Sequence, residues 1–427
     1  MSVVAVVGLQ WGDEAKGKIV DMLSPGAEIV ARFNGGDNAG HTVVNAYGTF
    51  KVRLTPNGFS SPGTLCVIGP GVVVNLATLA AEIEQIESSG IDVRNRLWIS
   101  PRCNLVMPYH PLIESIFEQA KGGSRTGTTR RGMGPVFADK VSYNGICLFD
   151  LQDRELFAAK LRLQLEIKNP FLQAFGLQPL DFDQIYQDTL QLYEKIQECV
   201  REPFAIIQES LARGSKLLLE GAQGALLDNN WGTYPYCTAS ITLAGGASAG
   251  LGIAPRWISQ VVGVTKAYTT RVGAGPMPTE LNDADGQVLL QAGQEYGTVT
   301  GRPRRCGWFD AELVRFTAQL NGATELALTK LDVLDSLERV KICVGYQRPG
   351  IANRLWHYWE LDAHRLGECE PVYIELPGWQ RPTHAARNFA DLPPEAQAYV
   401  RKIEELVDVP VRYVSVGPQR NATIRVD

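Results

Sequence analysis

The chain is 427 residues long, 45% apolar and 20% charged, which suits a globular protein of one large domain with insertions or of two or three smaller ones. Its 41 basic and 46 acidic residues give a net charge of −5, and that balance excludes the broad basic surface needed to hold nucleic acid or a membrane. No apolar run nears the roughly eighteen residues of a membrane span. The start carries no signal-peptide pattern and the 8 cysteines no C-x-x-C spacing, so the sequence reads as cytoplasmic and reduced.

Val3 to Val7 is an unbroken β-branched and small apolar run, the pattern of a strand buried on both faces. It leads into Gly8-Leu-Gln-Trp-Gly12-Asp13-Glu14-Ala15-Lys16-Gly17-Lys18, and Lys18 to Leu23 then reads as the start of a helix. Strand, glycine loop and helix together present backbone N–H groups and a helix N-terminus to phosphates. The spacing Gly12-x4-Gly17-Lys18 matches a P-loop in its glycines and lysine, but Ile19 stands where Ser or Thr would hold Mg²⁺. Asp13 is then the obvious hard oxygen ligand, and a carboxylate there also brings a general base within reach of a transferred phosphoryl group.

A second short strand, Ile29 to Ala31, precedes Arg32-Phe-Asn-Gly-Gly-Asp-Asn38-Ala-Gly40-His41-Thr42. The glycines suit close backbone approach to a ligand. His41 is the only histidine in the first hundred residues, and it makes a base–acid pair with Asp13. Gly48 to Leu54 reads as a hairpin continuation, Thr64 to Ile68 as a core strand, and Asn75 as the cap of a helix through about Glu87. Leu97 to Ser100 is strand-like, and Pro111 to Lys121 a helix.

The loop Gly122 to Gly134 combines glycines, hydroxyls and the arginines 125, 130 and 131, and reads as a phosphate-gripping lid that orders on ligand binding. Asp153 to about Cys199 is a helical insertion, broken near Pro170 to Pro179, whose Leu161 and Leu165 suit core packing. Further strands follow at Lys216 to Glu220, Trp257 to Tyr268 and Glu325 to Thr329. Strands alternating with helices predict an α/β fold with a large, mostly parallel central sheet covered by helices and a P-loop-like nucleotide site. We expect one domain over residues 1–427, with the helical insertion at about 151–212.

Gln223 follows a core strand among small residues, a position that suits amide hydrogen bonds to a purine edge. Thr298-Val299-Thr300-Gly301-Arg302-Pro303-Arg304-Arg305 sets three arginines in a constrained loop, a pattern for recognising an anion. Thr329-Lys330-Leu-Asp332 looks like the base-reading motif of guanine-nucleotide binders. In such a motif the lysine stem packs on the ring and the carboxylate accepts from two guanine donors that adenine lacks. Ser415 and Gly417 supply another wall for the same pocket.

WGDEAKGK and NGGDNAGHT resemble the signature motifs of the adenylosuccinate synthetase family, and further matches run almost to the C-terminus. The resemblance implies a GTP-dependent ligase that joins L-aspartate to IMP through a 6-phosphoryl intermediate, with Mg²⁺ required and a homodimeric assembly. By carry-over, Asp13, His41 and Lys16 are catalytic, and Asp13 with the Gly40 carbonyl holds the metal. GTP contacts fall on Gly12 to Gly17, Gly40 to Thr42, Lys330, Asp332, Ser415 and Gly417. IMP contacts fall on Asn38, Thr129, Gln223, Thr238, Val272 and Arg302, and aspartate contacts on Thr298 to Thr300, Arg302 and Arg304.

Three positions depart from the family pattern: Ala15 replaces a common glycine, Ile241 a frequent asparagine, and Tyr143 an arginine that in many members reaches the IMP phosphate across a dimer interface. Two alternatives stay open. One is a ligase for a different purine analogue, and the other a guanine-nucleotide-binding regulator without a ligase step.

Overall fold

The computed structural model describes residues 2–297 and 301–426. Its central sheet has nine strands, numbered here in chain order: β1 Ser2–Gly8, β2 Ile29–Arg32, β3 Leu65–Ile68, β4 Leu97–Ile99, β5 Lys216–Glu220, β6 Gln260–Lys266, β7 Glu325–Thr329, β8 Val411–Ser415 and β9 Thr423–Arg425. Their spatial order is β9-β8-β7-β6-β1-β5-β2-β3-β4, and every neighbouring pair is parallel except β8 with β9. The first strand of the chain thus lies mid-sheet, with Ala5 between Val261 and Leu219.

A strand sends alternate side chains to opposite faces, and β1 buries both sets. Val3, Ala5 and Val7 join a cluster with Ile207, Leu211, Val314 and Tyr399. Val4 and Val6 pack on the other face against Ile19 and Val20 of the helix α1, Lys16–Leu23. Ile19 is fully buried there. The position that a P-loop gives to a hydroxyl is therefore filled by core, at a gain of roughly 1.5–3 kcal/mol for burying such a side chain.

The insertion is helical, with Arg154–Ala174, Phe182–Glu194 and Phe204–Ala212 as its main elements. Asp153 and Asp181 cap the first two by accepting backbone N–H groups of Glu155, Leu156 and Gln184. Leu161 and Leu165 are core, packed with Phe157, Leu172, Ile83 and Ile86. The break expected near Pro170 to Pro179 falls between Ala174 and Phe182, so Pro170 itself lies inside the first helix, which stops before Gly176 at φ 78°. One lost hydrogen bond there is outweighed by the packing of Phe171 and Leu172 beyond it.

The strand expected from Trp257 is shorter, beginning at Gln260 after a tight turn at Pro255–Trp257. An antiparallel unit of Arg339–Arg348, Ile351–Trp356 and Glu370–Pro377 is absent from the sequence reading. Its first strand is bulged between Cys343 and Gly345, which breaks the alternation that would have marked it.

Parallel strands leave the sheet at their carboxyl ends, where ligands bind in open α/β sheets. β1 ends in the Gly8–Lys16 loop, β2 leads to Asn38 and His41, and β5 leads to Gln223. β7 leads to Lys330 and Asp332, and β8 to Gly417.

Candidate functional site

These loops enclose one cleft of about 1160 Å³. Gly12, Asp13, Ala15, Lys16, Gly17, Asn38, Gly40, His41 and Thr42 line it, as do Thr129, Gln223, Thr238, Val272, Arg304, Lys330, Asp332, Ser415 and Gly417. Arg302 is not in that lining; its guanidinium donates to the Thr128 carbonyl at 3.3 Å. Thr298, Val299 and Thr300 lie outside the described residues.

The phosphate loop is held from within. Glu14 is fully buried and turned away from the cleft, its Oε1 accepting from the N–H groups of Gly12 at 2.8 Å and Gln10 at 3.1 Å. Lys16 Nζ donates to Glu14 Oε2 at 2.6 Å. Only the backbone of Glu14 is therefore placed for a nucleotide contact. Gly12, Asp13 and Ala15 have φ of 88°, 60° and 65°, a turn that swings the N–H groups preceding α1 into the cleft. A Cβ on Gly17 would sit 2.8 Å from that of His41, so the glycine is what lets the histidine loop close on the phosphate loop.

Lys18 does not take the expected P-loop role. Its Nζ donates to Ser415 Oγ and the Gly417 carbonyl, both at 2.6 Å, and to the Ala422 carbonyl at 3.2 Å. Burial lowers its pKa to about 8, against the pull of Asp332. Spacing matched the motif, but the helix turn of α1 aims Lys18 at the C-terminal strands, where it braces a wall of the base pocket.

His41 is buried with Nδ1 at 3.0 Å from Glu220 Oε1 and 2.6 Å from the Asn57 amide nitrogen, which leaves Nε2 for a ligand. Glu220 also accepts from the Asn57 backbone N–H at 2.8 Å and its amide at 2.5 Å. Burial lowers the His41 pKa below its usual value while the Glu220 carboxylate opposes the shift. Burial pushes Glu220 upward, but His41 and Arg32 outweigh it and hold the carboxylate ionised. Anionic phosphates arriving in the cleft add to the carboxylate's pull and favour the imidazolium.

At the other end, Asp332 Oδ1 is buried without a protein partner, and burial raises the pKa of this carboxyl group. Lys330, at φ 61°, has its Nζ tied to the Gly293 carbonyl at 2.7 Å and Glu295 Oε1 at 2.6 Å, which leaves its stem beside the pocket. An unsatisfied acceptor beside a lysine stem fits a base that offers paired donors.

Asp13, 29% exposed, meets Arg304 Nε at 2.7 Å. The contact is an ion pair without hydrogen-bond alignment, for Nε has no aligned acceptor, whereas Arg304 NH1 makes an aligned bond to Glu295 Oε2 at 2.6 Å. On the opposite wall Gln223 Nε2 donates to Asn38 Oδ1 at 3.0 Å. The lid loop is tethered rather than free. Glu118 accepts the N–H groups of Thr126, Gly127 and Thr128 at 2.8–3.2 Å, and Glu114 that of Gly132 at 2.9 Å. Thr128 Oγ1 is buried there without a partner.

Sequence reasoning missed Glu220, Asn57, Glu295, Lys266, Glu114 and Glu118. Glu220 and Lys266 end core strands, and a charge closing an apolar run was the one signal available for them. The others stand in no motif.

The family model for adenylosuccinate synthetase matches residues 5–424. An adenylosuccinate synthetase from Carboxydothermus hydrogenoformans is 47% identical over 100% of this chain and 99% of its own. One from Alkalilimnicola ehrlichii is 48% identical over 99% and 97%. The chain belongs to the adenylosuccinate synthetase family. The solved structure of the fully ligated adenylosuccinate synthetase from Plasmodium falciparum superposes with a TM-score of 0.94 at 36% identity, covering 100% of both chains. A cyanophage S-2L succinoaminodeoxyadenylate synthetase, bound to dGMP and dATP, shares the fold with a TM-score of 0.61 at 21% identity, covering 99% and 95% of the two chains.

Ala15, Ile241 and Tyr143, expected from the resemblance to depart from the family pattern, sort by position. Ala15 takes up a left-handed φ of 65°, a conformation that a glycine would adopt without strain. Ile241 is 46% exposed and does not line the cleft. Tyr143 is 96% exposed with φ 68°, and Lys140, the nearest basic residue in sequence, donates to the Pro70 carbonyl at 2.9 Å.

Proposed function

We propose that the chain catalyses the GTP-dependent ligation of L-aspartate to IMP, giving adenylosuccinate, GDP and phosphate, a step of AMP biosynthesis. The observation that carries this reading is the family match over residues 5–424 together with Asp13, His41 and Asp332 on one cleft. A regulator without chemistry is disfavoured, because a guanine reader alone would not need a base–acid pair at the phosphate loop.

Asp13 accepts the proton from N1 of the IMP base, and the resulting 6-oxyanion attacks the γ-phosphorus of GTP, breaking its bond to the bridging oxygen of GDP. Lys16 and the N–H groups of the loop stabilise charge on the transferred group. His41, aligned by Glu220, donates to the same region through Nε2. The aspartate amine then attacks C6, the C6–O bond breaks, and phosphate leaves. Asn38, Gln223, Thr129, Thr238, Val272 and Arg302 are assigned to IMP; Thr298 to Thr300, Arg302 and Arg304 to aspartate; and Lys330, Asp332, Ser415 and Gly417 to guanine.

Mg²⁺ fits this donor set. Among the described residues no three acidic, His or Cys side chains cluster as a metal site, but the Asp13 carboxylate and Gly40 carbonyl are hard oxygens on the cleft, and Mg²⁺ commonly completes its shell with phosphates and water. When bound it would neutralise charge on the γ-phosphate.

A homodimer is part of the proposal, supported by the exposure of Val141 and Tyr143 at a family interface position, with Leu163 and Ile167 half-exposed on the helix bonded to this segment. The cytoplasm is the proposed compartment; no helix among the described residues is long and apolar enough to cross a membrane. The deciding experiment is phosphate release from GTP and Mg²⁺ with IMP, with and without aspartate. Aspartate-dependent release supports the ligase, and release that ignores aspartate or IMP removes it.

A further inference from the structure

Glu295 has no part in the chemistry above, yet its fully buried carboxylate carries four donors. Oε1 accepts from Lys330 Nζ at 2.6 Å, Lys266 Nζ at 2.8 Å and the Tyr268 hydroxyl at 2.5 Å, and Oε2 accepts from Arg304 at 2.6 Å. The Arg304 backbone N–H also donates to the Glu295 carbonyl at 2.8 Å. Two of these donors belong to different subsites. Lys330 borders the guanine pocket, and Arg304, assigned to aspartate, pairs with Asp13.

A frame of this kind is a poor device for stability alone, because charges removed from water recover their desolvation cost only with good geometry, and apolar residues can fill the same volume. It is a good device for position. Lysine and arginine side chains are long and free to rotate, and a single shared acceptor removes that freedom before any ligand arrives. The alignment of Arg304 supports this division. Its hydrogen bond goes to Glu295, while its contact with Asp13 is only Coulombic, so the arginine stays anchored if Asp13 turns to a substrate.

We infer that Glu295 is a positioning residue that couples the two ends of the cleft, holding Lys330 for the nucleotide through one oxygen and Arg304 for the aspartate side through the other. The inference rests on the ligase reading for its aspartate arm alone. Among the described residues assigned to IMP, Asn38, Gln223, Thr129 and Thr238 make no hydrogen bond to Glu295, so IMP should be nearly insensitive to it.

The test uses Glu295→Gln, Glu295→Asp, and the double variant Glu295→Gln/Lys266→Met, which avoids leaving Lys266 buried beside a neutral amide. Thermal melting establishes that each variant is folded. The expected result is a rise of ~10–100-fold in both the Kd for GDP, by calorimetry, and the KM for aspartate, the scale of one lost charged hydrogen bond. The KM for IMP should stay within about threefold, and Glu295→Asp should recover part of both losses. A folded double variant with GDP and aspartate constants unchanged overturns the inference, as does an equal loss for all three substrates. If the wild type releases no phosphate, the ligase reading falls, and GDP affinity still decides whether Glu295 holds Lys330.

Discussion

Glu220 and Glu295 are both fully buried and both ionised, but they serve groups of opposite character. Glu220 faces His41, whose pKa burial lowers, so the charge of that pair answers to whatever anion enters the cleft. Burial presses on Glu295 too, but Lys266, Lys330 and Arg304 together hold it well below the usual carboxylate range. Burial lowers even Lys266 only to about 8, still charged at neutral pH. One carboxylate tunes a proton, and the other fixes a frame. Burial alone does not make a carboxylate catalytic or structural; the titration range of its partner does.

The largest effect should come from Asp13→Ala, which removes the base and leaves the Glu295 frame intact. Turnover should fall by ~10²–10⁴-fold or more, with GDP affinity within a few-fold of wild type, measured by phosphate release and calorimetry. Activity within about tenfold of wild type would show that the carboxylate is not the base.

Next in size is Glu220→Gln, the mirror of the Glu295 variants. It should lower kcat by ~10–100-fold, as the charge paired with His41 is lost, while the KM values for GTP and aspartate stay close to wild type. A rise in both KM values with kcat unchanged would merge the two clusters into one.

Acidification should separate the pair without any change of ligand. The folded pKa of His41 is depressed, so the unfolded chain binds the extra proton first, and the stability linked to its neutral form is lost as pH falls through the unfolded value of about 6.5. The depressed carboxylates Glu220 and Glu295 contribute above their unfolded value of about 4.3 and lose that contribution only as pH falls below it. Between pH 7.5 and 5.5, the Tm of wild type should therefore drop further than that of His41→Gln, by no more than about 2–4 °C, the scale of ~1 kcal/mol. Equal slopes would mean that His41 is not held neutral. His110, also depressed by burial, is present in both proteins and cancels.

The smallest effect is that of Ala15→Gly, next to both clusters but bonded to neither. Relief of a left-handed alanine is worth ~1 kcal/mol, less what glycine loses in chain entropy. Tm should rise by about a degree or two with kcat unchanged. A fall in Tm would show that the Ala15 methyl packs usefully in the loop.

Much of the fold was legible because its signals are local. Val3 to Val7 and Lys216 to Glu220 are strands by their own composition, and Asn75 caps its helix by accepting the Thr78 N–H as its position predicts. The bulged Arg339–Arg348 strand was not legible, since an irregular register erases the period of two. Within the site, glycine loops announced the phosphate end, and Lys330 with Asp332 announced the base. Lys18 misled, because a spacing rule says which residues are near a loop and not which way a helical turn points them.

The sequence by itself determined the order of elements, the loops at the strand ends and, through its motifs, the family. Those depend on neighbours within a few residues, where periodicity and glycine conformation act. Tertiary structure alone decided the electrostatic partners. His41 meets Glu220, Asp13 meets Arg304, and Lys18 meets Ser415 across 397 positions of chain. Such pairs are made when a parallel sheet brings the carboxyl ends of distant strands to one edge. Coulomb energy depends on distance in space and on burial, and neither is written in the spacing of residues along the chain.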